Sequence, residues 1–96
     1  MDEKEFEYAC AQLSAAKLNI VDKGYDESSF GSWHITLATN PSRRIIWDGR
    51  DDVLSVEEET EDIFNSASKW KTLFTTERLQ YEDVPVLMNQ IIDRVK

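Results

Sequence analysis

The chain has one cysteine, one histidine, two prolines and three glycines in 96 residues. Each scarcity excludes something. A single Cys10 rules out an intrachain disulfide and suits a reducing compartment. One cysteine and one histidine (His34) cannot form a Cys/His zinc site within the chain. The glycines Gly24, Gly31 and Gly49 are dispersed, so neither a phosphate-cradling loop nor a dinucleotide fingerprint is present. Ser28, Ser29 and Ser32 form no G-x-S-x-G elbow. No apolar run approaches the roughly 18 residues of a membrane helix. The N-terminus, Met-Asp-Glu-Lys-Glu, has no apolar core of a secretory signal. These features predict a cytoplasmic protein that needs no membrane, metal or cofactor, and they contain no enzyme signature.

Basic residues are also scarce. Lys and Arg number 11 against 19 Asp and Glu, for a net charge of −8. That balance disfavours nucleic-acid phosphates, where affinity comes from Lys and Arg. It leaves a basic protein partner open. Hydrophobic residues at 41% and charged residues at 31% fit one folded domain over residues 1–96.

Hydrophobic spacing then sets the fold class. Phe6, Ala9, Cys10, Leu13 and Ala16 lie on one helical stripe, with Asp2, Glu3, Glu5 and Glu7 in the first turns, where the helix dipole favours carboxylates. This predicts a helix from Asp2 to about Leu18, with Cys10 a buried thiol on its apolar face. Ile20–Tyr25 reads as a short strand. In Phe30–Thr39, Trp33, Ile35 and Leu37 alternate with His34, Thr36 and Ala38, the pattern of a half-buried strand that turns His34 away from the Trp33 face. Asn40-Pro41-Ser42 is a turn, and Arg43–Trp47 the returning strand. Asp48-Gly49 is a favoured hairpin dipeptide because glycine accepts positive φ. Val53 to about Glu57 is the next strand.

Residues 60–80 are ambiguous. Ile63, Phe64 and Ala67 have helical spacing with Thr60 as an N-cap, and Lys69–Thr76 reads equally as a helical turn or a strand. Val84, Leu87, Met88, Ile91, Ile92 and Val95 then keep helical spacing throughout, after Asp83 as N-cap and with Pro85 in the first turn. The expected architecture is α+β: a small antiparallel β-meander sheet with N- and C-terminal helices packed on one face, leaving the other face partly open.

The charge is concentrated. Residues 48–62 hold eight acids (Asp48, Asp51, Asp52, Glu57, Glu58, Glu59, Glu61 and Asp62) against Arg50, while 1–47 sum to −2 and 63–96 to +1. A solvated rim is the plain reading. A docking surface for a basic partner is the functional one, since clustered carboxylates steer association. A calcium loop is disfavoured, because from Asp48 the third and sixth positions are Arg50 and Val53. Trp33 reads as core. Trp47, at a strand end beside the acidic turn, is a candidate exposed anchor. Trp70, between Lys69 and Lys71, is expected to cover the core edge. Arg43 and Arg44 are expected to balance nearby carboxylates.

The run Trp33-His34-Ile35, Ile45-Ile46-Trp47-Asp48-Gly49-Arg50-Asp51, Leu54-Ser55-Val56-Glu57-Glu58, Ile63-Phe64 and Trp70-Lys71-Thr72-Leu73-Phe74 resembles small acidic immunity proteins of bacterial toxin systems. The resemblance is one of size, acidity and Trp-rich strands. It implies a non-enzymatic inhibitor that blocks a cognate basic toxin, a nuclease being one such partner. Trp47 would be its anchor, and the eight acids of 48–62 its charged contacts. The alternative is a structural or regulatory domain that forms a homodimer through its sheet face or an edge strand.

Overall fold

In the computed structural model, helix α1 spans Glu3–Ala15 and buries Phe6, Ala9, Cys10 and Leu13. These are the positions the stripe predicts. The structure describes residues 3–39, 41–62, 67–77, 89–90 and 92–93. The helix ends in a Schellman motif. The Leu18 amide donates to the Leu13 carbonyl and the Lys17 amide to that of Ser14, both at 3.0 Å. Lys17 occupies the left-handed position, with φ of 64°.

Five strands follow: β1 (Ile20–Asp26), β2 (Ser32–Leu37), β3 (Arg43–Asp48), β4 (Val53–Asp62) and β5 (Ala67–Glu77). They form one antiparallel sheet in sequence order. The expected meander is present, with one strand more than the clearest hydrophobic runs mark. The registers pair Trp33 with Trp47 and Ile35 with Ile45 across β2 and β3. Across β3 and β4 they pair Ile45 with Val56 and Trp47 with Leu54. Those side chains, with Leu37, share one face and pack under α1 as a single core. The Phe6 ring sits 5.6 Å from Trp33 and 5.9 Å from Tyr25, centroid to centroid.

Two register shifts decide which edge-strand side chains reach this face. Val21 is extra between Ile20 and Asp22. Both Ile20 and Tyr25 therefore pack on the core although they are five positions apart, a spacing that regular alternation would put on opposite faces. On β5 the partner of Val56 is Phe74 but that of Glu57 is Thr72, so Leu73 is extra. The phase inverts there. Phe74 packs on the core while Trp70 comes to the opposite face.

Several expectations change. Thr60 lies in β4 and is no helix N-cap, and residues 67–77 are strand. The segment 63–66 lies outside the described residues. So does most of the predicted C-terminal helix over 84–95. Its described members Asn89, Gln90, Ile92 and Asp93 are helical, and Ile92 is buried in the α1 core.

Gly49 is not the positive-φ residue of its turn. Asp52 takes that role, at 53°. Gly49 is required for a different reason: a Cβ there would sit 1.9 Å from the Phe30 carbonyl oxygen. Its amide also donates to Ser32 Oγ at 2.9 Å. The β1–β2 and β3–β4 connections are thereby locked together.

Two outcomes are expected. Lys17→Gly relieves the left-handed strain and raises unfolding free energy by about 1 kcal/mol, read as a higher urea midpoint. Burial pushes the Cys10 thiol up, with nearby Lys23 opposing and Glu7 adding to it. Cys10 should then react with a thiol reagent far more slowly in native protein than in urea. Equal rates would place Cys10 outside the core.

Candidate functional site

Strand alternation gives the sheet two chemically different faces. α1 covers the apolar one. In the opposite phase stand Asp22, Gly24 and Asp26 of β1, Ser32, His34 and Thr36 of β2, Arg44, Ile46 and Asp48 of β3, Ser55, Glu57 and Glu59 of β4, and Trp70, Thr72 and Thr75 of β5. No described helix covers this bare face, and a shallow groove of about 600 Å³ runs across its β1–β3 side.

Two clusters structure the face. In the first, Arg44 Nε donates to Glu57 Oε1, and the guanidinium carbon lies 4.1 Å from the centre of the Trp70 ring. Arg44 thus reaches from β3 across β4 to β5, fixed by charge and by cation–π contact. In the second, the His34 imidazole lies against the Gly24 backbone, where a Cβ would come within 2.7 Å of Cε1. Its Nε2 is 3.1 Å from Asp22 Oδ2.

The serine hydroxyls near this pair are committed elsewhere. Ser28 Oγ donates to Asp26 Oδ1 at 2.6 Å and Ser29 Oγ to Asp26 Oδ2 at 2.8 Å. Ser32 Oγ donates to the Ser29 carbonyl at 2.7 Å. The Ser28 hydroxyl, then that of Ser29, hold the Asp26 carboxyl below the usual carboxylate range. These bonds shape the single 3-10 turn over Glu27–Ser29, which Asp26 caps. Among the described residues no three His, Cys, Asp or Glu side chains converge on a metal position.

The candidate acids separate in space. Trp47 is 1% exposed and faces α1, so it belongs to the core and is not a surface anchor. Trp33, at 3%, is core as expected. The indole N–H groups of both are buried without an acceptor among the described residues. Asp48 shapes its turn, accepting at Oδ1 from the Arg50 amide at 3.0 Å and the Asp51 amide at 3.4 Å. Asp51 and Asp52 are exposed.

Glu57 and Glu58 point to opposite faces. Glu57 pairs with Arg44, and Glu58 Oε2 lies 3.5 Å from Arg43 Nε. The arginines therefore balance carboxylates, as the sequence implies. Glu59 returns to the bare-face register, opposite Trp70. Glu61 and Asp62 close β4, and their side chains lie outside the described residues.

The ten residues of β4 span about 30 Å at 3.3 Å each. The acidic stretch is thus not the compact field that a short hairpin would make. Its turn lies at one end of the sheet, and Glu61 and Asp62 lie at the other.

Three features are not marked by hydrophobic spacing: the bare-face position of Trp70, the Arg44 bridge, and the exposure of Phe30, which reaches 70%. The Leu73 bulge hid the first two. For Phe30, the adjacent Gly31 was the available hint of an irregular turn. No family model, curated protein or solved structure matches the chain.

The pairings predict unequal costs for charge reversal. Glu57→Lys and Glu58→Lys each remove an arginine's partner in a half-buried place and should destabilise by about 1–2 kcal/mol. Asp51→Lys, at an exposed turn, should stay within about 0.5 kcal/mol. Urea titration of the three variants checks the order, and equal costs would contradict it.

Proposed function

We propose that the chain is a non-enzymatic binding protein of the immunity type, which neutralises a basic partner protein in the cytoplasm. A nuclease toxin domain is the partner class that fits this chemistry. The observation that supports this reading is the asymmetry of the sheet. One face is closed by α1. The other carries Asp22, Asp26, Asp48, Glu57 and Glu59 against Arg44 as its one described Lys or Arg. Lys23, Arg43 and Lys71 stand in the register of the helix-covered face. The charge is thus sorted by face, with a carboxylate excess where a partner has room to dock. A second helix over 84–95, lying beside α1 through the buried Ile92, belongs to the same reading. It would leave the bare face uncovered.

A homodimer is the competing reading, favoured by the position of the eleven-residue β5 at a sheet edge. Sedimentation separates the two. A dimer stable at about 0.05 and 0.5 M salt alike favours self-association, and a monomer at both favours docking.

The direct test is coexpression with a basic toxin domain encoded beside this chain. Protection of the cells and a stable complex are expected. The double reversal Asp51→Lys with Asp52→Lys should slow association about tenfold at low salt and flatten its salt dependence. Unprotected cells despite soluble protein would overturn the proposal.

A further inference from the structure

Phe30 is the most exposed large hydrophobic residue among those described, at 70%. It stands where the fold has no use for it. Its backbone is left-handed, with φ of 60° and ψ of 26°, closing the 3-10 turn over Glu27–Ser29. A bulky residue costs roughly 1–2 kcal/mol there, and glycine or asparagine would relieve most of that. An exposed ring returns little packing to offset the cost. The carbonyl that meets Gly49 is backbone, which glycine at position 30 would supply equally.

The surroundings name the occupant. Contact between Phe30 and Gly49 joins the β1–β2 and β3–β4 connections at one end of the sheet. These two loops carry Asp26, Glu27, Asp48, Asp51 and Asp52 against Arg50, a net charge of −4. The bare-face groove opens at the same end, lined there by Asp26, Ser29 and Ser32. An exposed aromatic ring among carboxylates suits guanidinium and ammonium groups, through cation–π contact at the ring and charge-assisted hydrogen bonds at the rim.

We propose that Phe30 is the anchor of a docking surface at this end of the sheet, and that its occupant is an arginine- and lysine-bearing surface of a partner protein. This rests on the binding-protein reading above and names the place where binding occurs.

A nona-arginine peptide titrated into the isotope-labelled full chain at low salt tests the surface, with nona-glutamate as control. Amide shifts should concentrate in 26–32 and 48–52. Phe30→Gly should weaken the peptide about three- to thirtyfold while the melting temperature stays level or rises. Phe30→Leu, apolar without an aromatic face, should bind weakly as well.

Three results would overturn the proposal: unchanged affinity in Phe30→Gly, a lower melting temperature in that variant, or shifts absent from these loops. Shifts confined to 57–59 would remove this surface yet leave the acidic binding protein intact. The coexpression assay fails independently, since it reads protection by the whole chain and not the location of contact.

Discussion

The structure depends on one constraint, that a single face of a five-stranded meander must present an apolar centre to a helix of thirteen residues, with the charged residues of the same register, such as Arg43 and Glu58, left partly exposed. Leu13, Ile35, Leu37, Ile45, Leu54 and Val56 are fully buried by meeting that condition. Each contributes roughly 1.5–3 kcal/mol relative to exposure, so a strand in the wrong phase would forfeit several such terms. The inner strands β2 and β3 satisfy the condition by plain alternation. The edge strands do not, and each carries an inserted residue that inverts its phase: Val21 in β1, which lets both Ile20 and Tyr25 reach the core, and Leu73 in β5, which keeps Phe74 on the core and turns Trp70 away. The same bulges fix what the other face presents. By inverting the phase of β5, Leu73 places Trp70 under the Arg44 guanidinium.

This explains which parts of the fold were legible in the sequence. The α1 stripe, the Trp33–Leu37 alternation and the hairpin into Arg43–Trp47 are period-matched segments in which each residue votes for the same structure. The bulges break the period. For that reason the spacing around Trp70 and Phe74 fits helix and strand equally, and the flanking lysines point Trp70 to the core edge and not to the bare face. The turn stands where Asp48-Gly49 predicts it, but by another mechanism. Its left-handed residue is Asp52, and its glycine answers a close backbone approach from Phe30 that only the tertiary structure creates. Trp47 departs from the exposed-anchor expectation for a related reason. A strand end next to charged residues looks exposed in sequence, yet the register puts it opposite Trp33, beneath α1.

The acidic stretch teaches a similar lesson about charge. Contiguity in sequence becomes proximity in a helix or a tight turn. In an extended strand it becomes alternation and distance. Glu57, Glu58 and Glu59 are consecutive, but they face opposite sides, and the first two are bound to arginines on β3. The field relevant to a partner must therefore be summed over neighbouring strands and loops. Summed that way, residues far apart in sequence, such as Asp26 and Asp51, share one end of the sheet.

Among the described residues, three non-glycine positions adopt left-handed backbone: Lys17, Phe30 and Asp52. At Lys17 the strain closes the Schellman motif that seats Leu18 against the core, and a long solvated side chain is harmless there. At Asp52 it turns the chain from β3 into β4, and aspartate is among the residues that tolerate the conformation best. Local geometry thus explains both positions. Phe30 shares the geometry without the explanation, because the turn needs only a backbone that a smaller residue would provide more cheaply. Strain accompanied by compensating packing is ordinary structure. Strain accompanied by an exposed aromatic ring places the missing compensation outside the molecule, where a partner's side chains would supply it.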